Sequence, residues 1–485
     1  MLFNSYIFIF LFLPAAIIGY YTLNKLKKYV LGEYFLIIMS LIFYAYFNTS
    51  YFPIIFFSIL GNYYLVYMMN HLKYSNWKKA IFIIGLLSNI GILFYYKYMG
   101  FFIQNINVLF KTNFLITKLL LPLGISFFTF QQLSYVIDSY LGRVKTYSFR
   151  QYVLFVTFFP QLIAGPIVLH DEIIPQFKNI DKKTFNWNNF SEGLMAFSFG
   201  MAKKVIIADS FGNVVNYGFA NLAGLDSTNA IFTMLSYTIQ IYFDFSGYCD
   251  MATGIAKMFN IDLPINFNSP YKALSITEFW KRWHITLTRF LRTYIYFPLG
   301  GNRKGQCRTY LNLFIVFLVS GLWHGANYTF IVWGILHGTA MIIERIFKEK
   351  QEKLHPALKW LMTIVFINFT WIIFRANTLN DATILIKQIM LFDFGSLSKD
   401  LVSALGFNGL MYFFSHIGRI GYYMSNTYPV YAIIGILFII LFCKNTNERI
   451  NTFKPTLLNC VVSSFLLFYS ILSLSGMSTF LYFNF

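Results

Sequence analysis

Two histidines stand where an apolar chain would not ordinarily spend them. The stretch "SGLWHGANYTFIVWGILHG" (320–338) carries His324 and His337 within a run of aliphatic, aromatic and glycine residues. Low polarity disfavours an imidazolium. A neutral imidazole can take a proton from a hydroxyl, which is the work of a general base. Ionisable groups in such runs usually face a cavity and carry function. The competing reading is a core histidine satisfied by its neighbours. We favour the functional reading for His324. For His337, beside Gly338, we favour the structural one, with a second polar group lining the same cavity as the alternative.

The densest polar region is "SITEFWKRWHITLTRFLRTYIYFPLGGNRKG" (275–305). Read as one helix over 276–295, it places Lys281, Thr288 and Arg292 on one stripe and Arg282 and Arg289 on another. Trp280, Trp283 and Phe290 are interleaved with them. Aromatic and basic residues together mark a helix lying in the membrane interface. His284, in its middle, either points at headgroups or joins the chemistry. "GGNRKG" (300–305) is a basic turn whose backbone amides can cradle a phosphate, although it lacks P-loop spacing. Arg282, Arg289, Arg292, Arg303 and Lys304 are therefore candidate contacts for a phosphate-bearing donor, such as coenzyme A or a phosphopantetheine arm. Asp244 and Asp250, in "QIYFDFSGYCDMATGIAKMFNIDLP" (240–264), need partners in such apolar surroundings. These are either the arginines of the basic helix or a histidine that the carboxylates polarise.

Several chemistries are excluded. There is no G-x-S-x-G nucleophile elbow and no H-E-x-x-H or H-x-x-E-H metal spacing. None of His284, His324 and His337 is followed five residues later by Asp, as in many glycerolipid acyltransferases. The four cysteines, Cys249, Cys307, Cys443 and Cys460, form no C-x-x-C pair, so no metal site is expected.

The elements that must position these groups are membrane helices. The 485 residues are 57% hydrophobic and 12% charged, against about 25% charged in a soluble domain. The net charge of +19 fits basic loops on the cytoplasmic side meeting anionic headgroups better than it fits a nucleic-acid partner. Apolar runs near 4–23, 31–47, 51–70, 80–96 and 119–141 alternate with basic loops at Lys25–Lys28, at His71–Lys79 and at Arg143–Arg150. This places the N-terminus outside. The first run has no basic n-region or clear cleavage site and reads as a retained span. The run 151–169 is broken by Pro160, Gly165 and Pro166, which suits a segment buried in protein. Residues 170–190 and 259–275 read as loops. Helices are expected at 192–220 and 228–248, and spans near 310–343, 358–374, 408–423, 428–443 and 455–475. The whole is an all-α polytopic bundle of about 10–12 membrane helices, organised as one domain over 1–485.

Arg308 and Arg345 bracket the histidine stretch. If both ends face the cytoplasm, the segment must enter and return. A single straight helix of this length would run about 54 Å, too long for one crossing. A hairpin has arms of roughly 24 Å, and a bend among Gly321, Gly325 and Asn327 sets His324 at its apex, deep in the membrane; a kinked single long helix is the rival geometry.

These segments, with "LPLGISFFTFQQLSYVIDSYLG" (121–142), "FFPQLIAGPI" (158–167), "WIIFRA" (371–376) and "FLYFNF" (480–485), resemble the alginate O-acetyltransferase branch of the membrane-bound O-acyltransferases over almost the whole chain. The resemblance implies a many-helix bundle with a central funnel. It implies that the W-H-G histidine, His324, is catalytic, and that His284 in R-W-H-I-T is the second functional histidine. Thr293 stands where relatives usually carry an acidic residue, so no role is carried over for that carboxylate. The resemblance also implies acetyl transfer from acetyl-coenzyme A or a phosphopantetheine thioester, with no bound cofactor or metal. His284, or a backbone amide near the bend, would stabilise the oxyanion. The acceptor would be an extracytoplasmic cell-envelope polysaccharide, reached directly or through an extracytoplasmic partner protein, and the enzyme would lie in the inner membrane. The alternatives are a transporter, D-alanyl transfer to a teichoic-acid polymer, and a scaffold.

Overall fold

The computed structural model describes the chain except for residues 73, 117–118, 145, 407–418, 475–479 and 482–485, and except for the side chains of 419–427. Lys73, Lys145, the span expected at 408–423 and the closing "FLYFNF" thus fall wholly or partly outside the described residues. Regular structure among the described residues is helical throughout. Five helices are long and apolar enough to cross a membrane: Phe8–Lys25, Thr49–His71, Ser75–Phe110, Tyr328–Ile346 and Pro356–Arg375. Three shorter apolar helices are Tyr29–Ala45, Tyr428–Phe442 and Leu457–Leu472. Ile125–Tyr140, in another expected span, faces protein instead of lipid and buries all but two of its residues. A helix with protein on every side need not be apolar all round.

Contacts divide the chain into two compact units, with boundaries at 199 and 247 that fall inside helices. The first comprises Met1–Phe199, Tyr248–Ile265 and Lys454–Phe485. Its interior helices are tied by amides. Asn62 donates to Asn89 (3.1 Å) and to Gln132 (2.9 Å), Gln132 donates to Ser58 (3.0 Å), and Tyr152 donates to Gln132 (3.1 Å). Such bonds substitute for the missing hydrophobic drive between membrane helices. Glu33 holds Arg150 at 2.6 Å and Lys183 at 2.8 Å, which fastens the segment read as a loop to the bundle. That segment also contains an unexpected helix, His170–Lys178. His170 is buried between the Asp138 carboxylate and the Tyr147 hydroxyl, at 3.2 Å from each. As its prolines imply, the run 151–169 is broken, between Phe149–Thr157 and Phe159–Leu162.

The second unit comprises Gly200–Gly247 and Asn266–Phe453. Its centre is the hairpin read from the sequence, an incoming arm Gln306–His324 and a returning arm Tyr328–Ile346. The bend is confined to Gly325–Asn327, where the Asn327 side chain accepts from the Thr329 amide and caps the returning arm. Each arm has 19 residues, or about 28 Å, nearly the full hydrocarbon thickness. The bend lies at the end of the hairpin opposite Arg308 and Arg345. Glycines set the spacing of the arms. A Cβ on Gly334 would lie 2.6 Å from the Phe317 carbonyl oxygen, and one on Gly321 would strike that of Phe330. Gly334→Ala should cost a net 1–2 kcal/mol or so. Overpacking against rigid backbone costs about 1–3 kcal/mol, and the helix propensity gained returns about 1 kcal/mol at most. Thermal unfolding of the solubilised protein reads this directly; an unchanged midpoint would contradict the packing described.

The amphipathic helix expected over 276–295 is not continuous. Ile276–Arg282 ends at Trp283, which is extended, and His284 adopts a left-handed φ of 45° before Ile285–Leu291 begins. No glycine or proline marks this break. The distant segment 266–268 makes it: Asn268 N–H donates to the Arg282 carbonyl (2.9 Å), Ile285 N–H to the Asn266 carbonyl (3.0 Å), and Thr286 N–H to Asn266 Oδ1 (3.2 Å). Backbone groups freed by the break are thereby satisfied. The two stripes expected of a single helix do not exist, since Arg282 and Arg289 lie on different helices.

Candidate active site

His324 is the last residue of the incoming arm and keeps 3% of its surface exposed. Its ring lies 5.0 Å from Trp323, 5.3 Å from Trp333 and 5.1 Å from Phe374, centroid to centroid. Phe374 comes from the end of Pro356–Arg375, so the wall is built from both arms and the helix beside them. A ring packed this closely is reached by a substrate only when neighbouring side chains give way.

The break brings His284 to the same place. Its ring is fully buried, 6.4 Å from that of His324, 5.8 Å from Trp323 and 4.8 Å from Phe245. The local hydrogen bonds fix its tautomer. Asn266 Oδ1 accepts from the Thr286 amide and hydroxyl, so it is an oxygen, and it lies 3.2 Å from His284 Nδ1. Nδ1 must therefore carry the proton. Burial lowers the pKa of the ring, which is neutral. Nε2 then presents a lone pair, an acceptor's role in place of the oxyanion donor's role expected from the sequence.

His337 is a core histidine. The Trp280 indole N–H donates to its Nδ1 (3.2 Å), and its Nε2 lies 3.1 Å from Thr370 Oγ1. Both ring nitrogens are engaged in packing the returning arm against its neighbours.

The expected phosphate contacts are not brought together as one patch. Arg282 is spent on Glu278 (2.8 Å) and on the Asn268 carbonyl (3.2 Å). Arg292 lies over the Phe297 ring, and Arg289 sits half-buried one turn before it. Arg303 and Lys304 are exposed in a turn whose Gly300, Gly301 and Gly305 all take positive φ. Asn312 of the incoming arm pins this turn by donating to the Gly301 carbonyl (2.9 Å). A turn of this kind can still meet a phosphate, but with Arg303 and Lys304 as its cations.

Asp244 finds a partner that sequence reasoning missed. Lys204, 2% exposed, reaches Asp244 and Asp209, each at 2.7 Å. It lies in a π-helical turn, Ala202–Ala208, a distortion often found at functional sites. The only trace in the sequence was a lysine pair in "GMAKKV", inside the helix expected at 192–220. Asp250 is buried in the first unit. Among the described residues, no group of three or more His, Cys, Asp or Glu could hold a metal ion.

A bent hairpin ending in Trp-His-Gly thus has a second buried histidine, His284, beside its tip. Residues 41–380 match the model of the membrane-bound O-acyltransferase family. The chain belongs to that family. It is accordingly an O-acyltransferase and a multi-pass membrane protein. Among curated relatives of this membrane-bound O-acyltransferase, the peptidoglycan O-acetyltransferase of Helicobacter pylori is 40% identical, over 100% of this chain and 98% of its own. The probable alginate O-acetylase AlgI of Pseudomonas putida is 39% identical, over 79% of each chain. The teichoic acid D-alanyltransferase of Streptococcus thermophilus is 24% identical, over 51% of this chain and 65% of its own.

Proposed function

We propose that this chain transfers acetyl groups from a thioester donor on the cytoplasmic side of the inner membrane to hydroxyls of a cell-envelope polysaccharide. The donor is acetyl-coenzyme A or an acetylated phosphopantetheine arm. The observation that carries this reading is the pairing of two buried imidazoles, 6.4 Å apart, from separate breaks in the fold. A thioester is already activated, so catalysis reduces to positioning and proton removal. His324 takes the proton of the acceptor hydroxyl as its oxygen attacks the thioester carbonyl carbon. The carbon–sulfur bond then breaks, and the departing thiolate receives that proton. The His284 Nε2 lone pair accepts from a second, neighbouring hydroxyl of the acceptor sugar and so holds the attacking one in line. Arg303 and Lys304 meet the donor's phosphates.

The full-length likeness to a peptidoglycan O-acetyltransferase makes peptidoglycan the first acceptor to test. The likeness to a D-alanyltransferase covers half of the chain and supports the mechanism more than the acyl group. Hydroxyl delivery by an extracytoplasmic partner protein fits the same geometry. Purified protein in lipid vesicles, supplied with labelled acetyl-coenzyme A inside and glycan fragments outside, should label the fragments with alkali-labile acetate. Label crossing as free acetate, with none on glycan, would favour a transporter and refute the proposal.

A further inference from the structure

Attack on the thioester places negative charge on the carbonyl oxygen, and that charge calls for a hydrogen-bond donor fixed beside His324. The donors near the histidine pair are largely committed. His284 gives its proton to Asn266. The Trp280 N–H goes to His337, and the Trp371 N–H goes to the Tyr271 hydroxyl at 3.2 Å. Trp333 differs from these. It is fully buried, its ring lies 5.3 Å from that of His324, and its Nε1–H makes no hydrogen bond with any described residue. A buried indole N–H normally finds a partner, and a polar group left unsatisfied in a native core asks for an explanation. One turn earlier on the same face of the returning arm, the buried Thr329 hydroxyl is likewise unmatched among the described residues.

We infer that Trp333 is a catalytic residue whose indole N–H donates to the acyl carbonyl oxygen as it becomes the oxyanion. This rests on the acyl-transfer reading above. As the acceptor oxygen bonds to the carbonyl carbon, the C=O electron pair moves onto the oxygen facing Trp333. It returns to re-form C=O when the thiolate leaves with the proton held by His324. The indole N–H is neither gained nor lost. Because the donor is already fixed and desolvated, it needs no reorganisation during the reaction. The same reasoning explains why evolution tolerates an unmatched donor in so tight a core.

The test replaces Trp333 in the full-length enzyme in two ways: Trp333→Phe, and an isosteric benzothienylalanine that carries sulfur in place of the N–H. Acetyl transfer and thermal midpoint are measured on both, alongside His324→Ala. The expected result is a kcat lower by about 100- to 1,000-fold, with the donor KM within about twofold, since the bond strengthens only in the transition state. The midpoint of the isosteric variant should not fall, because the N–H it lacks had no protein partner to lose. Near-wild-type kcat in the isosteric variant, with His324→Ala inactive, overturns this inference and leaves the acyl-transfer reading standing. A lowered midpoint with kcat recovered on cooling also overturns it, by assigning Trp333 to packing. An active His324→Ala enzyme removes the reading on which the inference rests.

Discussion

His324→Ala should lower acetyl transfer by about 100- to 10,000-fold, the range that proton transfer in the transition state commonly supplies. The variant should still reach the membrane. The ring makes aromatic contacts with Trp323, Trp333 and Phe374, so truncation to Ala also opens a small cavity. His324→Gln separates the two effects by keeping most of the volume without a basic nitrogen. Both variants should be inactive, and the Gln variant should unfold closer to wild type. The loss should fall on kcat, because the proton moves only as the acceptor oxygen attacks. Transfer by His324→Gln within tenfold of wild type would show that another group takes the proton.

The second large effect concerns stability. Lys204→Met should cost about 3–5 kcal/mol, the usual penalty for removing one member of a buried ion pair. Asp244, also buried, would lose the ammonium that faces it at 2.7 Å. Adding Asp244→Asn should then cost much less than it does alone, because the two groups act as a unit. The site should feel the change as well, since Phe245, next along the helix, packs against His284. Unfolding in a denaturing detergent series reads the three variants. Additive losses would mean that the pair is not coupled, and a Lys204→Met loss under about 1 kcal/mol would place it with exposed ion pairs.

The hairpin was legible in the sequence because its cues are local. Arg308 and Arg345 mark its ends, and Gly325 and Asn327 mark the bend. The arms place His324 at the end of the hairpin away from both charges, which is where the bracketing charges and the glycines put it. The break at His284, by contrast, was hidden. Nothing between 276 and 297 disfavours a helix, and the bonds that stop it come from Asn266 and Asn268 in a loop read only as polar. Lys204 was hidden likewise, because a lysine on the exposed face of a helix and a lysine buried against two carboxylates look the same until the helices are packed. The motifs located both histidines, but the tautomer of His284 depended on which atom of Asn266 faced it. Tertiary partners, and not helix propensity, decided each of these points.

The central claim is that this chain puts acetyl esters on an envelope polysaccharide through His324. The most direct measurement is alkali-released acetate per unit of purified peptidoglycan in three strains: wild type, a strain lacking the protein, and that strain carrying His324→Gln expressed at wild-type levels. The account predicts acetate in the first and near-background values in the other two. Equal acetate in all three, in peptidoglycan and in every other envelope polysaccharide assayed, would contradict it.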